Sequence, residues 1–338
     1  MKVLEEVVHF SHNDLDGIGC ITMAKNIFQF TLHHICGYDN IDNKIKEFLS
    51  KYVDEDGNPT DEVFPFERIL ITDISVQPDT AEMLDYFCSR TGVTLNLIDH
   101  HETASWLNEY EWASVFSTCF GTKTSGTSEM MRLLVNPNPV LTPSEKGDLG
   151  KFAEVVRLYD TWDWNKLGIQ HPKMLSDLMW IIGHDDFIER FTNDLDPVLS
   201  TNERYLVDTE AKREQRFIEH KEKQMFKTIV NDGATVYNVG VVYAEQHHSI
   251  LGNTLCKNNP DIDFVVIVNM GAGKVSYRTV KDHIHVGEIS KRLFGGGGHR
   301  SASGSEFPTL ITHHFYEDNL RIDWKKSVGE QLEVLKEN

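Results

Sequence analysis

The chain has 338 residues, 40% of them hydrophobic and 25% charged, a globular composition with enough material for two domains rather than one. A net charge of -19 excludes a whole-surface grip on long nucleic acid, which needs a basic face. Five cysteines without a C-x-x-C pair exclude a disulfide framework and a cysteine zinc site, and no apolar run approaches the length of a membrane span.

In chain order, Val7–Phe10 reads as a strand and Gly17–Phe30 as a helix. Residues 52–65, with Gly57-Asn58-Pro59, read as an acidic loop. Arg68–Thr72 is a predicted strand, Asp79–Arg90 a helix and Val93–Ile98 a strand. Thr127–Val135 begins another helix, and Ser144–Tyr159 carries Phe152, Val155, Val156 and Tyr159 at helical spacing. Strands alternating with helices imply a parallel sheet covered by helices on both faces. Asn202–Ile229 is long, charged and poor in breakers, which predicts a connector helix. Beyond it Ala234–Tyr243, Phe264–Met270 and Val275–Val280 read as strands of a smaller α/β domain, with a helix over Val286–Phe294 and a glycine run after it. The expected organisation is an α/β domain over 1–195, the connector over 196–230, the second domain over 231–315 and a peripheral tail over 316–338.

Three predicted strands end in acidic or imidazole groups: His12, Asp14 and Asp16 before Gly17, then Asp73, then Asp99-His100-His101. In a parallel sheet these ends share one edge, where ligands bind. His12, Asp14 and Asp16 are in phase along an extended end. Carboxylates bunched this closely repel unless a cation neutralises them, although an N-cap cluster has the same spelling. Oxygen ligands with a few imidazoles suit hard or borderline divalent metals. Adjacent histidines cannot point the same way, which leaves one ring for a metal and the other for a substrate, with Asp99 placed to orient a ring. Asp160 and its competitor Asp163 follow a helix with a well-formed apolar face. The pairs His33-His34, His247-His248 and His313-His314 lack a preceding Asp and read as surface or packing residues.

The segment from Lys274 to Arg300 runs against the acidic trend, with Lys274, Arg278, Lys281, Lys291, Arg292 and Arg300 against Asp282 and Glu288. It encloses Gly295-Gly296-Gly297-Gly298-His299-Arg300. Glycines let a backbone approach a ligand and expose N–H groups to an anion, so Arg278, Gly296, Gly297, Gly298, His299 and Arg300 form a candidate substrate grip. No Gly-Lys-Ser/Thr follows, so this is not the phosphate loop of a nucleotide hydrolase.

These motifs, in this order, resemble the DHH phosphoesterase superfamily with its DHH-associated C-terminal domain. The forms Ser11–Gly17 and Tyr159–Trp164 look most similar to bacterial oligoribonucleases of the NrnB type, the nanoRNases. The resemblance implies two divalent ions, Mn²⁺ foremost, with Mg²⁺ or Co²⁺ as substitutes. It implies Asp14 on one ion, Asp16 on the other, Asp73 bridging, His100 and Asp160 completing the second site, His101 near the scissile phosphate and Asp99 holding a histidine. Many members carry a ligand histidine four residues before the first Asp, where this chain has Phe10; His12 stands two residues before Asp14 instead. The implied activity is hydrolysis of short single-stranded oligoribonucleotides to mononucleotides, with 3′-phosphoadenosine 5′-phosphate as a related substrate. The alternatives are a cyclic-dinucleotide phosphodiesterase and an inactive nucleotide-binding regulator. Cysteine usage and the start Met1–Glu6, without a signal-peptide core, lead to the expectation of a cytoplasmic protein with no membrane partner and no obligate protein partner.

Overall fold

The computed structural model describes residues 2–306 apart from 55, 56, 232 and 234. The expected tail over 316–338 and the pair His313-His314 lie outside the described residues. The chain divides into two compact units, Met1–Asp208 and Thr209–Asn338, with the division inside a 24-residue helix, Thr201–Gln224.

The first unit opens with strand β1 (Val3–His12), helix α1 (Leu15–Ile27), strand β2 (Phe28–Cys36), helix α2 (Ile41–Leu49), strand β3 (Arg68–Thr72), helix α3 (Pro78–Thr91) and strand β4 (Thr94–Asp99). A 3₁₀ segment, Glu102–Glu109, leads to the short β5 (Ala113–Val115) and the small hairpin β6 (Thr118–Cys119) and β7 (Thr122–Lys123). Helix α4 (Gly126–Met130) runs into a π-helical turn at Met131–Val135. Helices α5 (Pro143–Asp160), α6 (Asp163–Leu167), α7 (His171–Ile182) and α8 (His184–Asn193) follow, and α9 is the helix Thr201–Gln224.

The parallel pairings make one sheet in the order β2-β1-β3-β4-β5. Side-chain alternation splits its residues between two apolar cores. Val7, Leu70 and Ile98 face a core built with α1, α5, α7 and α8. Val8, Phe10, Ile69, Ile71, Leu95 and Leu97 face a core built with α2 and α3. The sheet is therefore covered on both sides, as the alternating sequence predicts. From β1 the chain moves to one neighbour, β2, and then crosses to the other, β3. That reversal is a topological switch point, and a crevice opens there beyond the carboxyl ends of the strands.

Two expected helices end earlier than their sequence suggests. The predicted helix Gly17–Phe30 stops at Ile27, because Phe28–Cys36 pairs in parallel with β1 from Phe28 onward. The connector stops at Gln224, because Phe226–Asn231 pairs antiparallel with the strand after it. In both places backbone pairing to a neighbouring strand overrides a local pattern that carries no breaker.

In the second unit β8 (Phe226–Asn231), β9 (Val236–Tyr243), β10 (Phe264–Asn269), β11 (Lys274–Arg278), β12 (Gly297–Gly298) and β13 (Ala302–Glu306) form a mixed sheet ordered β12-β13-β11-β10-β9-β8. Helix α10 (His248–Asn258) makes the parallel β9-to-β10 crossover, and α11 (Val286–Phe294) precedes the glycine run. The sequence pattern had not marked α10 or β13.

Candidate metal centre

The carboxyl ends of β1, β3 and β4 converge as the strand-end motifs predict. Asp14 caps α1 by accepting from the Gly17 amide at 3.1 Å. Position 17 has to be glycine, since a side chain there would strike the His12 carbonyl. Capping and clustering are therefore compatible: one Asp14 oxygen serves the helix while the other, Oδ2, lies 3.0 Å from His12 Nδ1. Asp73 follows β3 in the left-handed region at φ 58°, a conformation that costs energy outside glycine and marks an over-determined position. Its amide donates to the Ile98 carbonyl of β4 at 2.9 Å, which fixes the turn.

Asp73 divides its two oxygens between two groups. Oδ2 lies 3.8 Å from His12 Nδ1, and Oδ1 lies 3.2 Å from His100 Nε2. His100 Nε2 also stands 3.5 Å from Asp160 Oδ2 and 3.8 Å from Asp16 Oδ2. The side chains thus form two adjoining sets, His12-Asp14-Asp73 and Asp16-His100-Asp160, each with ligand atoms mutually within 4.8 Å. A third overlapping set is Asp73-Asp99-His100-His101.

His100 and His101 diverge as their adjacency requires. His101 turns away to place Nδ1 2.8 Å from Asp99 Oδ1, with its Nε2 3.3 Å from the Tyr38 hydroxyl. Asp99 is buried at the end of β4, and its Oδ1 also accepts from the His100 amide at 2.7 Å. Of the two acidic candidates after α5, Asp160 joins the cluster; Asp163 is held away from it by Arg157 at 3.1 Å.

The electrostatics are those of a cation site. Burial, then the charges of Asp14, Asp16 and Asp160, push the Asp73 carboxyl well above its usual range. Burial, then Asp16 and Asp14, do the same to Asp160. Burial also works to raise Asp14, but His12 beside it and the Gly17 amide outweigh that and hold Asp14 low. His100 is pushed down, burial prevailing over its acidic neighbours. Burial works to lower His101 as well, but its bond and charge pairing with Asp99 prevail and push it up to about 9. Three buried atoms in the cluster, His12 Nδ1, Asp73 Oδ2 and Asp99 Oδ2, make no well-aligned hydrogen bond. Buried polar atoms are normally satisfied, so three orphans in one cluster fit a site built to hold a cation. The donor set of carboxylate oxygens and imidazole nitrogens suits divalent metals.

Sequence reasoning did not mark the groups that hold Asp16. Its buried carboxylate accepts from the Gly126 and Thr127 amides and the Thr127 hydroxyl. Nor did it mark Tyr38, which stands at the rim beside His12 and His101, 53% exposed. The Ser125-x-x-Ser128 capping spelling was the one local sign of the first. The second has none.

The second unit holds the glycine motif apart from this cluster in sequence. Arg278 donates to the carbonyls of Tyr277 at 2.9 Å and Ser303 at 3.4 Å and to the Ser249 hydroxyl at 3.2 Å. Arg300 donates to the Asp282 carbonyl at 3.1 Å, and the His299 amide to the Ala302 carbonyl at 2.8 Å. The basic character of the segment is reduced by Lys281, which pairs with Asp263 at 3.0 Å. The glycines divide. A side chain at Gly296 would strike the Gly304 carbonyl, and Gly298 sits at φ 141° with the Ala302 carbonyl oxygen 2.7 Å from an added Cβ, whereas one at Gly297 meets nothing within 4 Å.

A doubly wound sheet that gathers three acidic strand ends, one of them an Asp-His-His turn, at its switch point defines the DHH class of phosphoesterases. No family model matches the chain. Oligoribonuclease NrnB of Bacillus subtilis (strain 168) is 35% identical over 320 residues, covering 93% of this chain and 76% of that protein. The 3′,5′-cyclic-nucleotide phosphodiesterase of Helicobacter pylori (strain ATCC 700392 / 26695) is 23% identical, covering 93% and 96%. Among solved structures, RecJ from Thermus thermophilus in complex with Mn²⁺ shares the fold at a TM-score of 0.56 and 15% identity, covering 92% of this chain and 51% of that one. The chain belongs to the NrnB-type branch of the DHH phosphoesterase family.

Proposed function

We propose that the chain is a two-metal phosphodiesterase that hydrolyses short oligoribonucleotides to mononucleotides. The observation that carries this reading is the division of Asp73 between two sets of ligand atoms, with orphaned buried atoms in the same cluster. Asp14 and His12 hold one cation and Asp16, His100 and Asp160 the other, with Asp73 shared; Mn²⁺ is the first choice, with Mg²⁺ or Co²⁺ as substitutes. The chemistry such a pair supplies is acidification of a water and neutralisation of charge on the attacking and leaving oxygens of a phosphodiester. Asp99 fixes the His101 ring through Nδ1, which leaves the opposite nitrogen as a donor for a phosphate oxygen. Without cations the crowded carboxylates disfavour a polyanionic substrate.

The second unit binds rather than reacts. Arg278, His299 and Arg300 supply donors, and Gly297 offers an open backbone where a nucleotide approaches. The name of the Bacillus subtilis relative supports the short-RNA reading, and that of the Helicobacter pylori relative keeps a cyclic nucleotide as the runner-up. Five unpaired thiols fit a reducing cytosol. Among the described residues no helix is long and apolar enough to cross a membrane.

The test is Mn²⁺-dependent digestion of end-labelled RNA and DNA of two to seven nucleotides, run beside cyclic dinucleotides, 3′,5′-cyclic mononucleotides and 3′-phosphoadenosine 5′-phosphate. Mononucleotide release that is fastest from RNA and abolished by chelation is expected. Cleavage confined to cyclic substrates would move the assignment to the runner-up, and no cleavage of any substrate would leave a nucleotide-binding regulator.

A further inference from the structure

We infer that Thr127 is a positioning residue for metal binding: its hydroxyl, driven by that of Ser125, locks Asp16 Oδ1 so that the carboxylate faces the cluster through Oδ2 alone. The inference rests on the reading of Asp16 as a metal ligand.

The direction of these bonds follows from the number of protons available. The Thr127 hydroxyl lies 2.8 Å from Asp16 Oδ1, 2.9 Å from the Ser125 hydroxyl and 3.5 Å from the Ala153 carbonyl. A hydroxyl has one proton, and the short contact to a carboxylate takes it. Thr127 then has to accept from Ser125, whose own oxygen is free to donate because it serves as acceptor for the Ser128 amide at 3.3 Å. Each hydroxyl thus donates once along the line Ser125 to Thr127 to Asp16, an arrangement in which successive bonds polarise one another. The Thr127 amide, at 3.0 Å, gives Oδ1 a second donor. The Gly126 amide takes one side of Oδ2, whose other side faces His100.

The segment is fitted to this task. Ser125, Gly126, Thr127 and Asp16 are all buried. A side chain at Gly126 would lie 2.9 Å from Asp73 Cβ, 3.1 Å from Asp16 Oδ2 and 3.1 Å from Cys20 Sγ, so glycine is what lets this backbone pass so close to the Asp16 and Asp73 side chains. Groups that orient a ligand typically change metal affinity by about 10- to 100-fold when removed.

The experiment is calorimetric titration of metal-free full-length protein with Mn²⁺ for the wild type, Thr127→Val, Thr127→Ala and Thr127→Ser, with near-ultraviolet circular dichroism to confirm folding. Valine keeps the shape and removes the hydroxyl, so Mn²⁺ binding at one of the sites should weaken by about 10- to 100-fold. Serine keeps the hydroxyl and loses the methyl, and should bind as the wild type does. A packing role would give the reverse order, with serine the more damaged, and would overturn the inference, as would unchanged affinity in the valine variant. Should valine not fold, alanine against serine carries the same comparison. If the wild type itself takes up no Mn²⁺, the reading of the centre as a metal site fails, which is a different result from equal binding by wild type and valine.

Discussion

Asp99 and His101 form a buried-to-open pair: Asp99 Oδ1 holds His101 Nδ1 at 2.8 Å beneath the rim, and the far nitrogen of the ring emerges beside Tyr38. The neighbouring His100 points back into the carboxylates. Two consecutive rings thereby part, one toward the carboxylates and one toward the rim, a separation forced by the extended backbone at the end of β4.

His101→Ala should retain Mn²⁺ and lose about 100- to 1,000-fold in kcat, the usual loss for one donor to developing charge. Metal analysis and single-turnover rates check this together. Loss of metal would instead make His101 a ligand.

The Asp99 pairing holds His101 protonated up to about pH 9. A raised value means that the imidazolium, and the stability it lends through Asp99, are complete below the unfolded value near 6.5 and vanish as pH rises through about 9. Asp99→Asn removes the charge that sustains it, so the alkaline limb of kcat/KM should move toward neutrality. An unmoved limb would assign it to another group.

Asp73→Asn should separate stability from metal binding. Asparagine tolerates the left-handed backbone at this position and removes a buried carboxyl whose ionisation is opposed by burial and by Asp14, Asp16 and Asp160. The metal-free variant should melt above the metal-free wild type. Mn²⁺ at one hundred times its Kd should add about 2.7 kcal/mol per site to the wild type, and far less to the variant. Thermal scans with and without chelator read both signs.

His9 provides a stability test at a residue that is not itself one of the proposed ligands. It is fully buried, donates to or accepts from the Thr72 hydroxyl at 2.7 Å, and burial followed by His33 pushes it down to about 3. A depressed value means that the unfolded chain takes the proton first. Stability from this group is therefore complete above about pH 6.5 and is lost as pH falls toward 3, by at most ~1.4 kcal/mol per pH unit. His9→Gln should flatten the acid side of a plot of Tm against pH; parallel curves would remove His9 from the acid response.

In the second unit, Gly297→Ala should leave Tm within the range of an ordinary surface change, because its Cβ meets nothing, while Gly296→Ala should lower it through collision with Gly304. Gly297→Ala and Arg278→Ala should each weaken cleavage of oligonucleotides far more than that of a small chromogenic diester. Equal losses on both substrates would place these residues in the reaction itself or point to misfolding.

The sequence by itself determined the parallel sheet and the content of the cluster. Arg68–Thr72 is the strand its apolar run predicts, and Val286–Phe294 the helix, because each is bounded by residues that end it locally. His12, Asp14, Asp16, Asp73 and His100 were legible because strand ends carry them to one edge whatever the rest of the chain does. Tertiary structure alone decided the rest. Phe28–Cys36 and Phe226–Asn231 are strands because β1 and β9 offer them backbone partners, and no Gly or Pro separates either from the preceding helix. The family resemblance already named Asp160; what the tertiary structure adds is the reason Asp163 stays out, its pairing with Arg157. Thr127 reaches Asp16 across 111 positions of chain, and Tyr38 reaches His101 across 63. Such contacts leave no local pattern, since a hydrogen bond fixes the distance between two groups in space and nothing about their separation along the chain.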